Sequence, residues 1–453
     1  MKIIIVGCGR VGYALAQQLS EEKHDITVID TKADKLERMV SVLDVQAVEG
    51  NATSFRVQQE AGVRSCDMMI AVTGQDEVNL LCCLIARRSG IRHAIARVQN
   101  PIYNEEVQYL QDELGLSMTI NPQLDCAKSI AKLIEVPGAL DITTFARGRI
   151  DLVRLPIPKD SPVDGMTIID FANKISKDTL VTTIERDGAV IIPNGHTKLL
   201  SGDNMYVILQ PKQIVGLCQK LGIKTKPIHS VLIAGGGTTA YYLAKQLSNL
   251  PIDVKIIEQD HVRCEHLSEM LPGAMIIEGN AADRQILMEE GVTEKDAMVA
   301  LTNMDEENLV LSMFCNKVSK GKTKTITKLN TISFDEVLKD LPIGVVVSPK
   351  AITTKTILQY VRALENTHGS NIETLYRILD ERVEVLEFKV RPDSKITGKP
   401  LMELKLKKNL LVCAILRKGR VITPGGKDEI LPGDNVIIVT TELGLKDVDD
   451  IRA

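Results

Sequence analysis

Lys2-Ile3-Ile4-Ile5-Val6-Gly7-Cys8-Gly9-Arg10-Val11-Gly12 stands at the start of the chain. Lys2 to Val6 is a short β-branched run closed by glycine, which predicts a buried parallel strand. Tyr13 to Lys23 follows with apolar Leu15, Ala16 and Leu19 at helical spacing, and Asp25 to Asp30 reads as the next strand. Strand, glycine turn, helix and strand in that order are the context a Gly-x-Gly-x-x-Gly dinucleotide fingerprint requires. Gly7 permits the tight turn, Gly9 lets the backbone approach a pyrophosphate, and Gly12 allows helix and strand to pack closely. The helix start then offers unpaired N–H groups and a positive dipole end to phosphates. A carboxylate at Asp30 can accept both ribose hydroxyls of an adenosine and would repel a 2′-phosphate, which favours NAD(H) over NADP(H).

The fingerprint returns. Gly7-x-Gly9-x-x-Gly12 is matched by Gly235-x-Gly237-x-x-Ala240, Val28-Ile29-Asp30 by Ile256-Ile257-Glu258, and Gly50-Asn51-Ala52 by Gly279-Asn280-Ala281. Asp76-Glu77-x-Asn79 recurs as Asp305-Glu306-x-Asn308, Arg97 corresponds to Lys328, and Asn121-Pro122 to Ser348-Pro349. Beyond the nucleotide fold, Ser201-Gly202-Asp203 is matched by Pro432-Gly433-Asp434. The chain therefore reads as A–B–A′–B′. The predicted fold class is α/β: two tandem Rossmann-like domains, each followed by a small α+β domain.

Ligands of open α/β sheets bind beyond the carboxyl ends of the strands, which nominates Asn51 and Ala52, Thr73 and Gly74, and Arg97. Arg97 can meet a phosphate with a bidentate fork or pair with a surface carboxylate; Asn51 and Thr73 can equally be helix caps. The second A unit carries Ala240 for the third glycine, Glu258 for Asp30, Asn303 for Gly74 and Lys328 for Arg97. Adenosine, a different nucleotide, weaker affinity or an empty site are all compatible with that set. Each A unit ends in an amphipathic helix, one bearing Leu124, Ala127, Ile130, Ala131 and Ile134, the other Ile352, Ile357, Tyr360, Val361 and Leu364. These helices pack on their own sheet or cross to a partner unit. The B units read as strands around one helix, with hairpin turns at Arg186-Asp187-Gly188 and Lys418-Gly419, and with apolar edge strands suited to pairing with another copy.

Composition narrows the field. A net charge of −4, no tryptophan and 3% aromatic residues argue against a nucleic-acid partner. No apolar run approaches membrane-spanning length, and the N-terminus reads as no signal peptide. The nine cysteines are scattered without a Cys-x-x-Cys pair, which suits free thiols in a reducing compartment; Cys82 and Cys83 read as core. His261, Cys264 and His266 have the wrong spacing for a standard zinc site, and no metal is expected. His196 reads as a loop residue.

With its duplicated two-part architecture, the motifs Val28-Ile29-Asp30, Gly50-Asn51-Ala52-Thr53 and Gly202-Asp203, and the opening fingerprint, the chain resembles the TrkA family along essentially its whole length. These are peripheral NAD-binding subunits of Trk potassium-uptake systems, built from tandem RCK domains (regulator of potassium conductance). The resemblance implies an RCK N-terminal domain over 1–123, a crossover helix or linker over 124–140 and an RCK C-terminal domain over 141–224. It implies the same series over 228–350, 351–369 and 370–453. It implies a homodimer or homotetramer whose RCK units form a gating ring. The ring would sit at the cytoplasmic face of the cell membrane, under a potassium channel subunit of the TrkH or TrkG type. NAD(H), with ATP or ADP at the same or the second site, would change the shape of the ring. The implied cofactor-binding residues are Gly7, Cys8, Gly9, Arg10, Val11, Gly12, Asp30, Asn51, Ala52, Thr73, Gly74 and Arg97 in the first unit. In the second they are Gly235, Gly236, Gly237, Thr238, Thr239, Glu258 and Thr302. The rival class is an NAD-dependent dehydrogenase, for which a proton donor near the nicotinamide is needed; His93 is the only first-half histidine near a candidate strand, and no catalytic residue is assigned.

Overall fold

The computed structural model describes residues 1–145, 149–223, 226–331, 338, 341–366, 372–379 and 382–453. The expected boundaries at 224 and at 369–370 lie outside them. The chain divides into two compact units. One gathers Met1–Lys128 with Val231–Leu358, and the other Ser129–Ser230 with Gln359–Ala453. The serial order A–B–A′–B′ is thus sorted in space, with the two Rossmann-like repeats in one unit and the two small domains in the other.

The first unit holds two six-stranded parallel sheets. Counted along each repeat, the strand order is 3-2-1-4-5-6 in both. The first strands, Lys2–Val6 and Ser230–Ala234, are the central ones, and all but their first residues are buried. That burial is why they read as unbroken β-branched runs rather than alternating ones: helices cover both faces of the sheet. Helix Asp76–Arg88 packs on this sheet through Cys82 and Cys83, both fully buried, which confirms the expected core role. Acidic residues open this helix and arginines close it, matching its dipole.

The glycines do the work predicted of them by different contacts. Gly7 has φ +100 and its N–H donates to Ile29 O at 2.8 Å, turning the chain out of the first strand. A Cβ on Gly12 would lie 1.9 Å from the Gly7 carbonyl oxygen, so helix Arg10–Glu21 crosses its strand at a distance that only hydrogen allows. At the matching position of helix Thr238–Leu247, Ala240 carries a methyl and is fully buried. The second copy thus leaves room for a methyl at this crossing where the first leaves none.

The repeats of this unit are docked on each other by a buried tyrosine. The Tyr242 hydroxyl accepts from Asn121 Nδ2 at 3.0 Å and donates to the Gln99 carbonyl at 3.1 Å. An exposed pair, Lys245 Nζ to Glu105 Oε1 at 2.9 Å, lies beside it and adds little at a solvated surface. The two long helices, Pro122–Glu135 and Pro349–Asn366, each begin on proline, whose missing N–H is no loss in the first turn. The division between units falls inside them, after Lys128 and after Leu358, so each helix belongs to both. The expected boundaries at 123/124 and 350/351 lie within the same helices.

The second unit holds two five-stranded antiparallel sheets. The predicted hairpins are two-residue turns with positive φ at both central positions, Asp187 and Gly188 in one and Lys418 and Gly419 in the other. Gly202-Asp203 and Gly433-Asp434 close each sheet in the same way. Asp203 takes a two-pronged bond from Arg186 at 2.7 and 2.7 Å and one from Leu200 N at 2.8 Å; Asp434 does the same for Arg417 and Leu431. One expectation needs correction. The first small domain has two helices, Ile168–Lys174 and Ile214–Lys220, while the described residues of the second show only 3₁₀ turns, Leu401–Glu403 and Val448–Ile451, in those roles. Faces of the two small-domain sheets meet within the chain. Phe145, Ile150, Leu152 and Tyr206 of one small domain share a core with Val383, Val385, Cys413 and Val439 of the other.

Gly12→Ala should destabilise the fold by about 1–3 kcal/mol, because the clash is with backbone and cannot be relieved by a rotamer change. Gly9→Ala, whose Cβ would meet nothing within 4 Å and whose φ is −75, should change stability by less than about 1 kcal/mol. Chemical denaturation of the two variants beside wild type measures the difference.

Candidate functional sites

Each Rossmann-like repeat opens a cleft at the carboxyl ends of its strands. The first, of about 790 Å³, is lined by Gly7, Gly9, Arg10, Val11 and Asp30, and by Asn51, Ala52, Thr73, Gly74 and Arg97. The second, of about 820 Å³, is lined by Gly235, Gly236, Gly237, Glu258 and Thr302. The sequence-nominated residues are thus brought together with four exceptions, Cys8, Gly12, Thr238 and Thr239, which are not among the lining residues. Cys8 turns its thiol into the interior, Gly12 sits beneath Gly7, and Thr239 is buried between helix and sheet. Burial, with the nearby Asp30 charge second, pushes the Cys8 thiol up to about 12.

Both helices above the glycine loops start without a side-chain cap. Gly9 and Gly237 occupy the cap positions, so the first-turn N–H groups are left to the cleft. The strand-end carboxylate is an organiser of this loop. Asp30 accepts from Cys8 N at 2.7 Å and Lys32 N at 3.0 Å. Glu258, one methylene longer, accepts from Gly236 N at 2.7 Å and Asp260 N at 2.9 Å. The Asp-to-Glu change therefore preserves the clamp. What differs is the room beneath it: a Cβ on Gly236 would lie 2.9 Å from Glu258 Cβ and 2.6 Å from Leu267 Cδ1, whereas Cys8 carries its Cβ at the corresponding place.

The remaining nominated loops are also held from behind. Asn51 Oδ1 accepts from Thr53 N and Oγ1 at 3.0 and 2.9 Å, a local turn rather than the helix cap considered above. Thr73 donates its N–H and hydroxyl to Asn79 Oδ1 at 2.8 and 2.7 Å, and Asn79 Nδ2 donates to Thr73 O and Arg97 O. Asn308 repeats every one of these bonds to Thr302 and Lys328. The recurring Asp-Glu-x-Asn motif is thereby explained: the asparagine ties the fourth strand's end to the fifth's. Its partner Asp76 accepts from Gln99 N and Asn100 N, each at 2.8 Å, and so fixes the loop that follows Arg97.

Charge separates the two clefts. The first has Arg10, Lys32, Lys35, Arg97 and Lys350 against the one carboxylate of Asp30. The second has Arg263 against Glu258, Asp260 and Glu307. Arg97 has its Nε and Nη2 directed at the Gln99 amide oxygen, at 2.8 and 2.6 Å, and burial lowers its affinity for the proton. Its counterpart Lys328 does not line the second cleft. It is buried and donates to Leu301 O at 3.2 Å, and desolvation lowers its pKa. Arg263, the counterpart of Lys35, spans the second glycine loop, with Nε donating to Gly236 O at 2.9 Å. Lys32, Lys35, Lys350 and Arg263 were missed by sequence reasoning. Lys32 and Lys35 follow closely on Asp30, and Arg263 stands five residues after Glu258 as Lys35 does after Asp30, so all three were within reach of a motif reading; Lys350 joins its cleft through tertiary structure.

His93 opens strand His93–Arg97 at the end opposite Arg97 and is not among the cleft's lining residues, so it is not placed as a proton donor for a bound dinucleotide. His261, which sequence reading grouped with Cys264 and His266, bonds Glu278 through Nδ1 at 2.8 Å, and that contact raises its pKa. The described residues contain no group of three metal-ligating side chains, and no described helix is long and apolar enough to cross a membrane.

Along its length the chain matches the TrkA-N domain family at residues 3–122 and 231–349 and the TrkA-C domain family at residues 152–222 and 385–451. A Trk system potassium uptake protein TrkA homolog of Archaeoglobus fulgidus is 34% identical over 452 residues, covering 100% of both chains. The Trk system potassium uptake protein TrkA of Vibrio alginolyticus is 30% identical over 457 residues, covering 100% of this chain and 98% of its own. Among solved structures, the GsuK RCK domain aligns over 97% of this chain and 92% of that one with a TM-score of 0.65 and 19% identity. The GsuK channel bound to NAD aligns over 97% and 77% with a TM-score of 0.64 and 18% identity. At such identities these structures establish the shared fold.

With its thiol near 12, Cys8 should resist alkylation at pH 8, where only about one part in ten thousand is thiolate. Iodoacetamide labelling read by peptide mass should modify Cys8 in denaturant and leave it unmodified in the native protein.

Proposed function

The chain belongs to the TrkA family, and on that premise we propose that it is the nucleotide-sensing regulatory subunit of a potassium-uptake channel, with NAD(H) held in the first cleft. The observation that carries the reading is the convergence there of an uncapped helix start above Gly7-Cys8-Gly9, a cationic lining and the Asp30 carboxylate. The N–H groups and Arg10 suit a pyrophosphate; Asp30 suits the ribose hydroxyls of the adenosine half, its lone pairs exceeding the two backbone bonds it already accepts. The site residues carried over from the family are accordingly read in two roles. Gly7, Gly9, Arg10, Val11, Asp30, Asn51, Ala52, Thr73, Gly74 and Arg97 face the nucleotide, while Cys8 and Gly12 shape the loop beneath it.

The second cleft keeps the glycine loop and the carboxylate clamp but replaces the cationic lining with an acidic one. It keeps what suits an adenosine, but its acidic lining disfavours phosphate charge. ADP, which carries more charge than NADH and is worth trying because a GsuK structure is bound to ADP, should therefore prefer the first cleft. The partner is a membrane potassium channel subunit of the TrkH or TrkG type at the cytoplasmic face, and the chain assembles with further copies of itself into a ring of RCK units. As a regulator it needs a nucleotide that binds one ring conformation better than another; a tenfold preference moves the equilibrium by about 1.4 kcal/mol per site.

Gly9→Asp should abolish NADH binding to the first cleft while leaving the fold intact, because the added carboxylate meets open space and only the phosphate site. Asp30→Ala should weaken it as well, with some loss of stability from the unclamped loop. Calorimetric titration with NADH, alongside denaturation curves, tests both. Wild-type affinity in Gly9→Asp would remove the first cleft as the NADH site.

A further inference from the structure

The first cleft is built by both Rossmann-like repeats. Beside Pro122 and Gln123, which start one long helix, its lining includes Pro349 and Lys350, which start the other, and Asn330. Pro349-Lys350 occupies in the second repeat the place that Pro122-Gln123 occupies in the first. The two helix starts therefore meet at one cleft. The second cleft has no such contribution: all its lining residues fall between Gly235 and Glu307. The duplication has been made unequal at this point, and the inequality is chemical, since a neutral glutamine in one repeat is a lysine in the other.

We propose that Lys350 is a phosphate contact of the first cleft, supplied by the second repeat, so that a bound nucleotide diphosphate joins the two repeats. The inference rests on the reading of that cleft as a nucleotide site. Three observations carry it. Lys350 lies in the second position of helix Pro349–Asn366, where a cation is unfavourable against the helix dipole unless an anion is nearby. It adds to a lining already rich in cations, in which the side chains of Arg10, Lys32, Lys35 and Arg97 would repel it if no anion intervened. And the repeat that carries it is locked in place by Tyr242, whose hydroxyl is bonded to Asn121 and to the carbonyl of Gln99, the residue whose amide oxygen faces Arg97. Lys350 is thus held at the cleft by the same contact that positions the loop after Arg97. Lysine serves such a role as a point charge rather than a fork, which tolerates the different phosphate positions of a dinucleotide and a mononucleotide.

Calorimetric titration of the full chain with NADH and with ADP tests this in wild type and in Lys350→Ala, Lys350→Glu and Lys350→Arg. Lys350→Ala should weaken NADH and ADP about tenfold, as expected for one charge-assisted bond to phosphate, and Lys350→Glu should weaken them further. Lys350→Arg should stay within about threefold of wild type, since the charge is retained. The thermal midpoint of nucleotide-free Lys350→Ala should equal or exceed that of wild type, since an unfavourable charge is removed, while the rise produced by NADH shrinks; a merely structural lysine would lower the nucleotide-free midpoint and leave the NADH rise unchanged. If Lys350→Ala and Lys350→Glu both bind NADH and ADP as wild type does, the inference is overturned while the nucleotide site stands. If wild type itself binds neither, the nucleotide reading fails and this inference falls with it.

Discussion

In both Rossmann-like repeats a single carboxylate holds the glycine loop to the end of the second strand. Asp30 and Glu258 each accept two backbone N–H groups, one from the loop and one from the residue two places on. A loop with glycines at its turns has many conformations open to it, and it presents its N–H groups to a ligand only when one of them is selected. The clamp supplies that selection before any ligand arrives. What the glycine loop presents to the cleft follows from it: the uncapped helix start, the open space above Gly9 and Gly237, and the placing of Arg10 and Val11.

Duplication preserves this scaffold more faithfully than it preserves the chemistry laid on it. The asparagine locks at Asn79 and Asn308 are the same bond for bond, and the Arg186–Asp203 and Arg417–Asp434 forks are likewise paired. These contacts satisfy buried polar groups, so losing one partner would leave the other uncompensated, and neither copy is free to drift. The cleft linings have no such restraint. Lys328 bonds a backbone carbonyl where Arg97 reaches the cleft, and Asp260 stands where the first cleft has Lys32. Two copies of one fold thereby became a cationic site and an acidic one without cost to the framework.

The fold was legible in the sequence because its signals are local. The β-branched run Lys2 to Val6, the glycine spacing and the strand-ending Asp30 each lie within a few residues of the structure they specify, and the echo at Gly235 to Glu258 confirmed them. The hairpins at Asp187-Gly188 and Lys418-Gly419 were legible for the same reason. The site was legible only in part. Motif reading finds groups that meet a ligand through the chain order of one repeat, and so it found Arg10, Asp30 and Thr73. It assigned Cys8 and Thr239 to the ligand because backbone and side chain of one residue can face opposite ways. It missed Lys350 because that residue reaches the cleft from the other repeat, a relation carried by Tyr242 docking rather than by spacing. It also gave the second small domain a helix, since the apolar positions that pack one in the first copy serve 3₁₀ turns in the second.

The first cleft lies at the start of both long helices. Pro122–Glu135 and Pro349–Asn366 both begin at that cleft, and both continue past Lys128 and Leu358 into the unit that contains the small domains. A helix transmits displacement along its axis because its hydrogen bonds make it stiff over such lengths. An anion bound between the two helix starts interacts with both dipoles and with Lys350 at once, so its binding energy depends on the distance between them. On the proposed reading, that dependence would supply the differential affinity a regulator requires. The second cleft lacks a shared lining, so its occupant can act on this arrangement only through the docking of one repeat on the other. Helix Thr238–Leu247 is the path available to it, since it leaves the second glycine loop and carries Tyr242 to the loop beyond Arg97. The two sites are in this way unequal by construction, one lined by both repeats and the other by a single repeat.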